Sequence, residues 1–306
     1  MPPGLIKNSY HGLWMINKTT IVNNLLKGLY TATSFNAFSR TMGRLAGLRL
    51  PGPIIKKVID AYCMYFNIDL SDVEIEDWQS INAFFTRRLR VGTRPIDPNP
   101  QIIVSPADGT IQSFGIITKD TALQVKDISY SVSQLLGDHQ QAERFDKGIF
   151  YTVYLSPADY HRVHSPVAGR IISARYIPGR LFSVNPKVGK YCNNFLTRNE
   201  RVVLTIDTVS GEVAVVMVGA TGVGSIDISG FPEISTDKGK KTNLYLRKPG
   251  ISIKKGREIG VFNMGSTVVV FTHRNTEYIG NEIGRPVRYG EAFLRVTALQ
   301  QKGDIK

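Results

Sequence analysis

The stretch Phe262-Asn263-Met264-Gly265-Ser266-Thr267-Val268-Val269-Val270-Phe271 sets a Gly-Ser-Thr turn against an unbroken β-branched run. Such a run, bounded by turn residues, reads as a buried strand. A glycine-studded approach, Lys255-Gly256-Arg257-Glu258-Ile259-Gly260, leads into it. Gly265 lets the backbone bend with no Cβ in the way and leaves its carbonyl open to attack. The Ser266 hydroxyl follows directly and reaches that carbonyl through a five-membered ring. Alone, a Gly-Ser-Thr triplet is most often a plain turn before a strand, so the remainder of the chain decides its meaning.

Further strand-like runs lie at Ile149–Leu155, Arg170–Tyr176, Val202–Asp207 and Val213–Val218, separated by Gly, Pro and Asn turns. Ahead of residue 101 the pattern is helical. From Thr19, Ile21, Val22, Leu25, Leu26 and Leu29 share one face. A second helical run covers Asn36–Leu48, ended by Pro51-Gly52-Pro53. A third begins at Ile54, with Ile54, Ile55, Val58, Ile59, Tyr62, Tyr65 and Phe66 in one apolar stripe. Residues 71–90 read as a fourth, with Ser71 and Glu74 as a capping box, and Pro95, Pro98 and Pro100 mark a linker. Helices first and a β-rich body after them make an α+β fold.

The 306 residues suffice for a sizeable core, and a 42% hydrophobic content is that of a globular protein. The net charge of +13 calls for an anionic partner. Residues 1–59 hold Lys7, Lys18, Lys27, Arg40, Arg44, Arg49, Lys56 and Lys57 and no acid. Basic, amphipathic helices of this kind suit an anionic membrane surface. Nucleic acid is the weaker partner, because no DNA- or RNA-binding motif accompanies the charge. No run is long and apolar enough to span a bilayer, and no secretory signal is expected. Cys63 and Cys192 lack CxxC spacing, so a disulfide framework is not expected.

Two segments offer groups for chemistry. Ser105-Pro106-Ala107-Asp108-Gly109 places an aspartate in a turn, where a plain Asx turn is its ordinary role. Ser156-Pro157-Ala158-Asp159 reads as an N-cap, a proline at N1 and an acid at N3, opening a short helical turn that carries Tyr160 and His161. Pro166 stops any helix, so His164 stands at the entrance to a strand. His161, His164 and Asp108 also outline a zinc set, but two distant cysteines add no ligand and no metal is expected. Asp108, His164 and Ser266 supply orienter, base and nucleophile in an order that triads permit. An ordinary α/β-hydrolase elbow needs glycine at position 268, which is Val268.

Taken together, these segments resemble the phosphatidylserine decarboxylase family in its bacterial, membrane-associated form. Ser80-Ile81-Asn82-Ala83-Phe84-Phe85-Thr86-Arg87-Arg88-Leu89-Arg90, Arg94-Pro95-Ile96-Asp97, Leu181-Phe182-Ser183-Val184-Asn185, Asn199-Glu200-Arg201-Val202 and Val218-Gly219-Ala220-Thr221 extend the likeness from about Leu45 to the C-terminus. The family's Leu-Gly-Ser-Thr appears here with Met264 for the leucine. The resemblance implies that Ser266, activated by His164 and Asp108, attacks the Gly265 carbonyl. The chain would then split into a β chain, 1–265, and an α chain, 266–306, that begins with a pyruvoyl group made from Ser266. It implies no external cofactor and a Schiff base with phosphatidylserine, yielding carbon dioxide and phosphatidylethanolamine. His161 is the candidate for positioning or protonating the substrate, and Phe182 and Val184 for a lip near the head group. The implied layout is a membrane-association region over 1–59 and a catalytic domain over 60–306. The enzyme would be peripheral on the cytoplasmic face of the inner membrane, with phosphatidylserine in an anionic bilayer as partner. A homodimer is compatible with it, and nucleic acid is not a partner. The rivals are a Ser-His-Asp lipid esterase and a basic membrane-binding module without chemistry. Both predict an intact chain.

Overall fold

A computed structural model describes residues 36–123, 129–184, 194–222, 225–234, 236, 243–263, 266–279 and 282–297. The helices are α1 (Asn36–Ala46), α2 (Gly52–Phe66), α3 (Ile81–Phe85), α4 (Val132–Leu136), α5 (His139–Glu143) and α6 (Phe195–Arg198). The strands begin with β1 (Ile102–Val104), β2 (Gly109–Ile116), β3 (Thr121–Leu123), β4 (Ser129–Ser131), β5 (Ile149–Leu155), β6 (Arg162–His164), β7 (Gly169–Ile177) and β8 (Arg201–Thr208). They continue with β9 (Gly211–Gly219), β10 (Ile226–Ile228), β11 (Leu244–Ile253), β12 (Glu258–Phe262), β13 (Ser266–Phe271), β14 (Thr276–Tyr278), β15 (Pro286–Val287) and β16 (Ala292–Val296). Helices precede a β-rich body, which is the α+β arrangement expected. The helix expected over Ile21 to Leu29 lies outside the described residues.

Eight strands form one antiparallel sheet in the order β11-β7-β8-β9-β13-β5-β2-β15. Strand β13 lies inside it, between β9 and β5, and all six of its residues are buried. A β-branched run fits there because both faces are covered and each branched side chain packs across the pleat. Ser266 opens the strand, opposite Leu155 on one side and Gly219 on the other. A smaller sheet, β10-β12-β6, brings His164 opposite Glu258. The chain therefore leaves the small sheet at Phe262 and enters the large one at Ser266. Tight packing extends to the strand ends. At Gly148, just before β5, a Cβ would lie 1.9 Å from the Thr272 carbonyl oxygen. Gly148→Ala is therefore expected to cost about 2–3 kcal/mol, read as a lower urea midpoint at unchanged slope.

Two helical expectations change. Residues 71–80 are not helical, and only α3 forms within 71–90. Asp69 captures both the Ser71 N–H and its hydroxyl, at 2.8 Å each, so Ser71 cannot cap. The cap in use is Ser80, whose hydroxyl accepts the Ala83 N–H at 3.1 Å. Second, the apolar stripe of α2 has two destinations. Ile55 and Ile59 are buried, with Tyr62 packed beside them, whereas Ile54, Val58 and Tyr65 face outward. Helix α2 also runs unbroken across residue 59, so the edge of the acid-free segment falls inside a helix.

Candidate active site

The turn after β5 holds the histidines. Asp159 donates its N–H to the Ser156 carbonyl, 3.0 Å, and its carboxylate takes the Ser156 N–H at 2.6 Å. The acid thus closes the turn as expected, but no helix follows it. His161 is fully buried against the Phe85 ring, with centroids 3.9 Å apart. Its Nδ1–H donates to the Asp159 carbonyl at 2.8 Å, which leaves the Nε2 lone pair without a partner among the described residues. Burial pushes its pKa down to about 3, so the ring is neutral at any working pH.

His164 ends β6. Its Nδ1 lies 2.8 Å from the Gly256 carbonyl, which only accepts, so the proton sits on Nδ1 and the lone pair on Nε2. The Tyr160 hydroxyl donates to that Nε2 at 3.2 Å. Gly256 has φ +75°, and a Cβ there would strike Ile96 at 2.7 Å, so this orienting carbonyl needs glycine. Burial lowers the His164 pKa, opposed by the Gly256 hydrogen bond and then by the charges of Glu258 and Asp108.

The orienting bond expected from Asp108 to His164 is not formed among the described residues. Arg94 takes Asp108 with Nε and Nη2, at 3.0 and 2.7 Å, and the Tyr289 N–H takes the other oxygen at 2.9 Å. A guanidinium fork of this kind saturates a carboxylate. Asp108 reaches His164 through Tyr289, whose ring stacks on the imidazole at 3.8 Å and 4°. Nor is Asp108 a plain Asx turn.

Ser266 is fully buried, and its hydroxyl has no hydrogen-bond partner among the described residues. Gly265 and Met264 lie outside the described residues. Asn263, just before them, is firmly held. Its side-chain amide donates to Ser225 Oγ at 2.6 Å and Asp227 at 2.8 Å, and its oxygen accepts from Asn82 at 3.0 Å. The Phe262 N–H donates to the His161 carbonyl at 3.0 Å, which ties the histidine turn to the approach to Ser266. Phe182 and Val184 are buried in the main core instead of lining an open lip. Arg198 covers the Phe182 ring at 4.6 Å. Among the described residues, no three His, Cys, Asp or Glu gather as metal ligands.

Sequence reasoning missed Tyr160, Tyr289, Arg94, Gly256 and Asn263. Each acts through a residue distant in the chain, except Tyr160, whose i, i+4 spacing from His164 was the only local signal.

The described residues thus hold a buried serine with an unpartnered hydroxyl at the head of a central strand and a histidine with a fixed acceptor nitrogen at the end of β6. Residues 81–295 match the family model described as phosphatidylserine decarboxylase. The phosphatidylserine decarboxylase proenzyme of Marinobacter nauticus is 39% identical over 264 residues, covering 84% of this chain and 92% of that protein. The proenzymes of Acinetobacter baumannii and Nitrosococcus oceani are each 41% identical, over 78% and 79% of this chain and 83% and 82% of theirs. The chain belongs to the phosphatidylserine decarboxylase family.

Proposed function

We propose that this chain cuts itself between Gly265 and Ser266 and, with the pyruvoyl group so formed, decarboxylates phosphatidylserine to phosphatidylethanolamine at a membrane surface. The observation that carries this reading is the buried, unpartnered Ser266 hydroxyl at the start of β13, in a member of this family. Strand β13 fixes the chain after the cut, and Asn263 fixes it before. Firm anchoring of Asn263 and Ser266 on either side supports an intramolecular attack, which needs fixed orientation.

In the reaction, Ser266 Oγ adds to the Gly265 carbonyl as its proton passes to His164 Nε2. The Ser266 amine leaves, protonated, and an ester replaces the amide. Removal of the Ser266 Cα proton expels Gly265 as a carboxylate and leaves dehydroalanine. Tautomerisation and hydrolysis of that residue release ammonia and leave the keto acid. The Ser266 position suits the group, since burial keeps bulk water from it. Once formed, the group would supply a carbonyl able to condense with the substrate amine and to take up the electrons freed as carbon dioxide leaves. His161 is assigned to position the substrate or take part in its protonation, a reading supported by its neutral ring and unpartnered Nε2 among the described residues. An intact-mass measurement, with carbon dioxide release followed on the same sample, tests this reading.

The membrane contact is assigned to residues 1–59 and the outward face of α2. No helix among the described residues is long and apolar enough to cross a bilayer. Ile54, Val58, Ala61 and Tyr65 follow one another along the outer face, Met64 and Tyr65 are each 82% exposed, and Lys56 and Lys57 flank them. The inward face reaches the site, because the Tyr62 hydroxyl donates to the Pro157 carbonyl at 3.0 Å. An apolar face rimmed by lysine suits the anionic cytoplasmic leaflet. Deleting residues 1–35, or replacing Leu25 and Leu29 with Asp, is expected to spare self-cleavage and to reduce co-sedimentation with anionic liposomes. The charge-driven part is expected to fall with salt and the apolar part to persist. Unchanged binding by the truncated protein would take the contact away from residues 1–35 and leave it to α2 or the β-rich body.

A further inference from the structure

We propose that Arg87 is the subsite for the phosphate diester of the substrate head group, an inference that rests on the decarboxylase reading. Arg87 is 4% exposed and forms no ion pair among the described residues. Its Nη2 donates to the carbonyls of Ala158 and Asp159, at 2.8 and 3.2 Å, and its guanidinium lies 5.0 Å from the Phe84 ring centroid. Its Nε and Nη1 have no partner among the described residues. Burial lowers its pKa, opposed by Tyr62 and Cys63 and then by Asp159 and Asp108, none of which forms an ion pair with it among the described residues.

The chain contains a second buried arginine for comparison. Arg201 is also 4% exposed, and every nitrogen is used: Nε by Leu135, Nη1 by Thr197 and Asn199, Nη2 by Gln134, all through backbone carbonyls at 2.7–2.9 Å. An arginine kept only to pin backbone looks like Arg201. Arg87 pins one turn with one nitrogen and leaves two donors and a buried charge unsatisfied, an arrangement that is costly unless something else completes it. A forked cation of this geometry takes a phosphate or carboxylate oxygen pair.

The location selects the ligand. Arg87 Nη2 and His161 Nδ1 converge on the same Asp159 carbonyl, and Phe85, two residues before Arg87, carries the His161 ring. The subsite therefore adjoins the histidine assigned to the substrate. Phosphatidylserine offers two anions, a carboxylate and a phosphate diester. The carboxylate loses its charge as carbon dioxide departs. A guanidinium on it would hold the ground state more tightly than the transition state and slow the reaction. The phosphate keeps its charge throughout, so holding it strengthens binding without opposing the chemistry. Both free nitrogens are closed to solvent in the intact chain. Asn82, on the helix just before Arg87, is tied to Asn263. The cut two residues beyond Asn263 would make that segment a chain end and let it yield to the head group.

The test compares cleaved wild type with Arg87→Gln on two substrates: phosphatidylserine in mixed micelles, and O-octyl-serine, which keeps the amine and carboxylate but has no phosphate. For phosphatidylserine, kcat/KM is expected to fall about 10- to 100-fold, the effect of one charged hydrogen-bonding partner. The loss should sit in KM, with kcat within about threefold, and O-octyl-serine turnover should be unchanged. Equal loss on both substrates, or loss on neither, overturns the subsite. If Arg87→Gln fails to fold, wild type is assayed with dimethyl phosphate. Inhibition of phosphatidylserine turnover alone is expected, and equal inhibition of both substrates, or inhibition of neither, overturns the proposal. If cleaved wild type turns over neither serine compound, the decarboxylase reading itself fails.

Discussion

Ser266→Ala is expected to leave one folded chain of residues 1–306 that releases no carbon dioxide from phosphatidylserine. On the proposed mechanism the substitution removes the hydroxyl that attacks the Gly265 carbonyl, and with it the source of the keto acid, so the loss of activity should be complete. Folding should survive. The Ser266 hydroxyl has no hydrogen-bond partner among the described residues, so its removal strands no donor or acceptor. The methyl that remains fits a strand whose neighbours are all buried. A cooperative unfolding transition in the variant, together with a single band on a denaturing gel, checks both halves. Residual activity in an uncleaved variant would show that the chemistry does not run through residue 266.

His164→Ala is expected to slow self-cleavage by about 100- to 10,000-fold, the contribution of a positioned general base. The size of the loss follows from the His164 tautomer. The Gly256 carbonyl holds the proton on Nδ1, so Nε2 is the atom left to receive one. That nitrogen has one lone pair, and in the intact chain the Tyr160 hydroxyl occupies it. Proton transfer from Ser266 therefore requires Tyr160 to shift or to pass the proton on. Asp108→Ala should also slow cleavage, because it frees Arg94 and releases the Tyr289 N–H that fixes the ring stacked on His164. His161→Ala should cleave and then decarboxylate poorly. The measurement is the time course of the intact chain on a gel after synthesis, followed by turnover per cleaved chain. If His161→Ala blocks cleavage while His164→Ala does not, the two roles are exchanged.

The central strand was legible because its signal is local. Five consecutive residues after Ser266, four of them β-branched or valine-like in shape and one aromatic, tolerate only a site covered on both faces, which is where β13 lies. The proposed site residues were chosen by type, since Asp108, His164 and Ser266 carry the atoms that acyl chemistry requires. Their partners were not. The carbonyl that orients His164 belongs to Gly256, and the ring stacked on it to Tyr289, far along the chain and brought close only by sheet pairing and by the chain returning past β2. Residues 71–80 misread as a helix because an Asx contact from Asp69, two residues earlier, claims the capping serine. The α2 stripe was ambiguous for a different reason. When both faces of a helix are apolar, periodicity cannot tell the face that packs from the face left outward. Only the structure separates Ile55 and Ile59 from Ile54 and Tyr65.

The most direct test of the account is an intact-mass spectrum of the purified wild-type chain under denaturing conditions. The account predicts two species. One is residues 1–265 with a free carboxylate at Gly265. The other is residues 266–306 beginning with a keto acid, lighter by one ammonia than the same peptide beginning with serine, and resistant to Edman degradation. A single uncleaved chain that decarboxylates phosphatidylserine would contradict it, and so would a 266–306 fragment that begins with an ordinary serine.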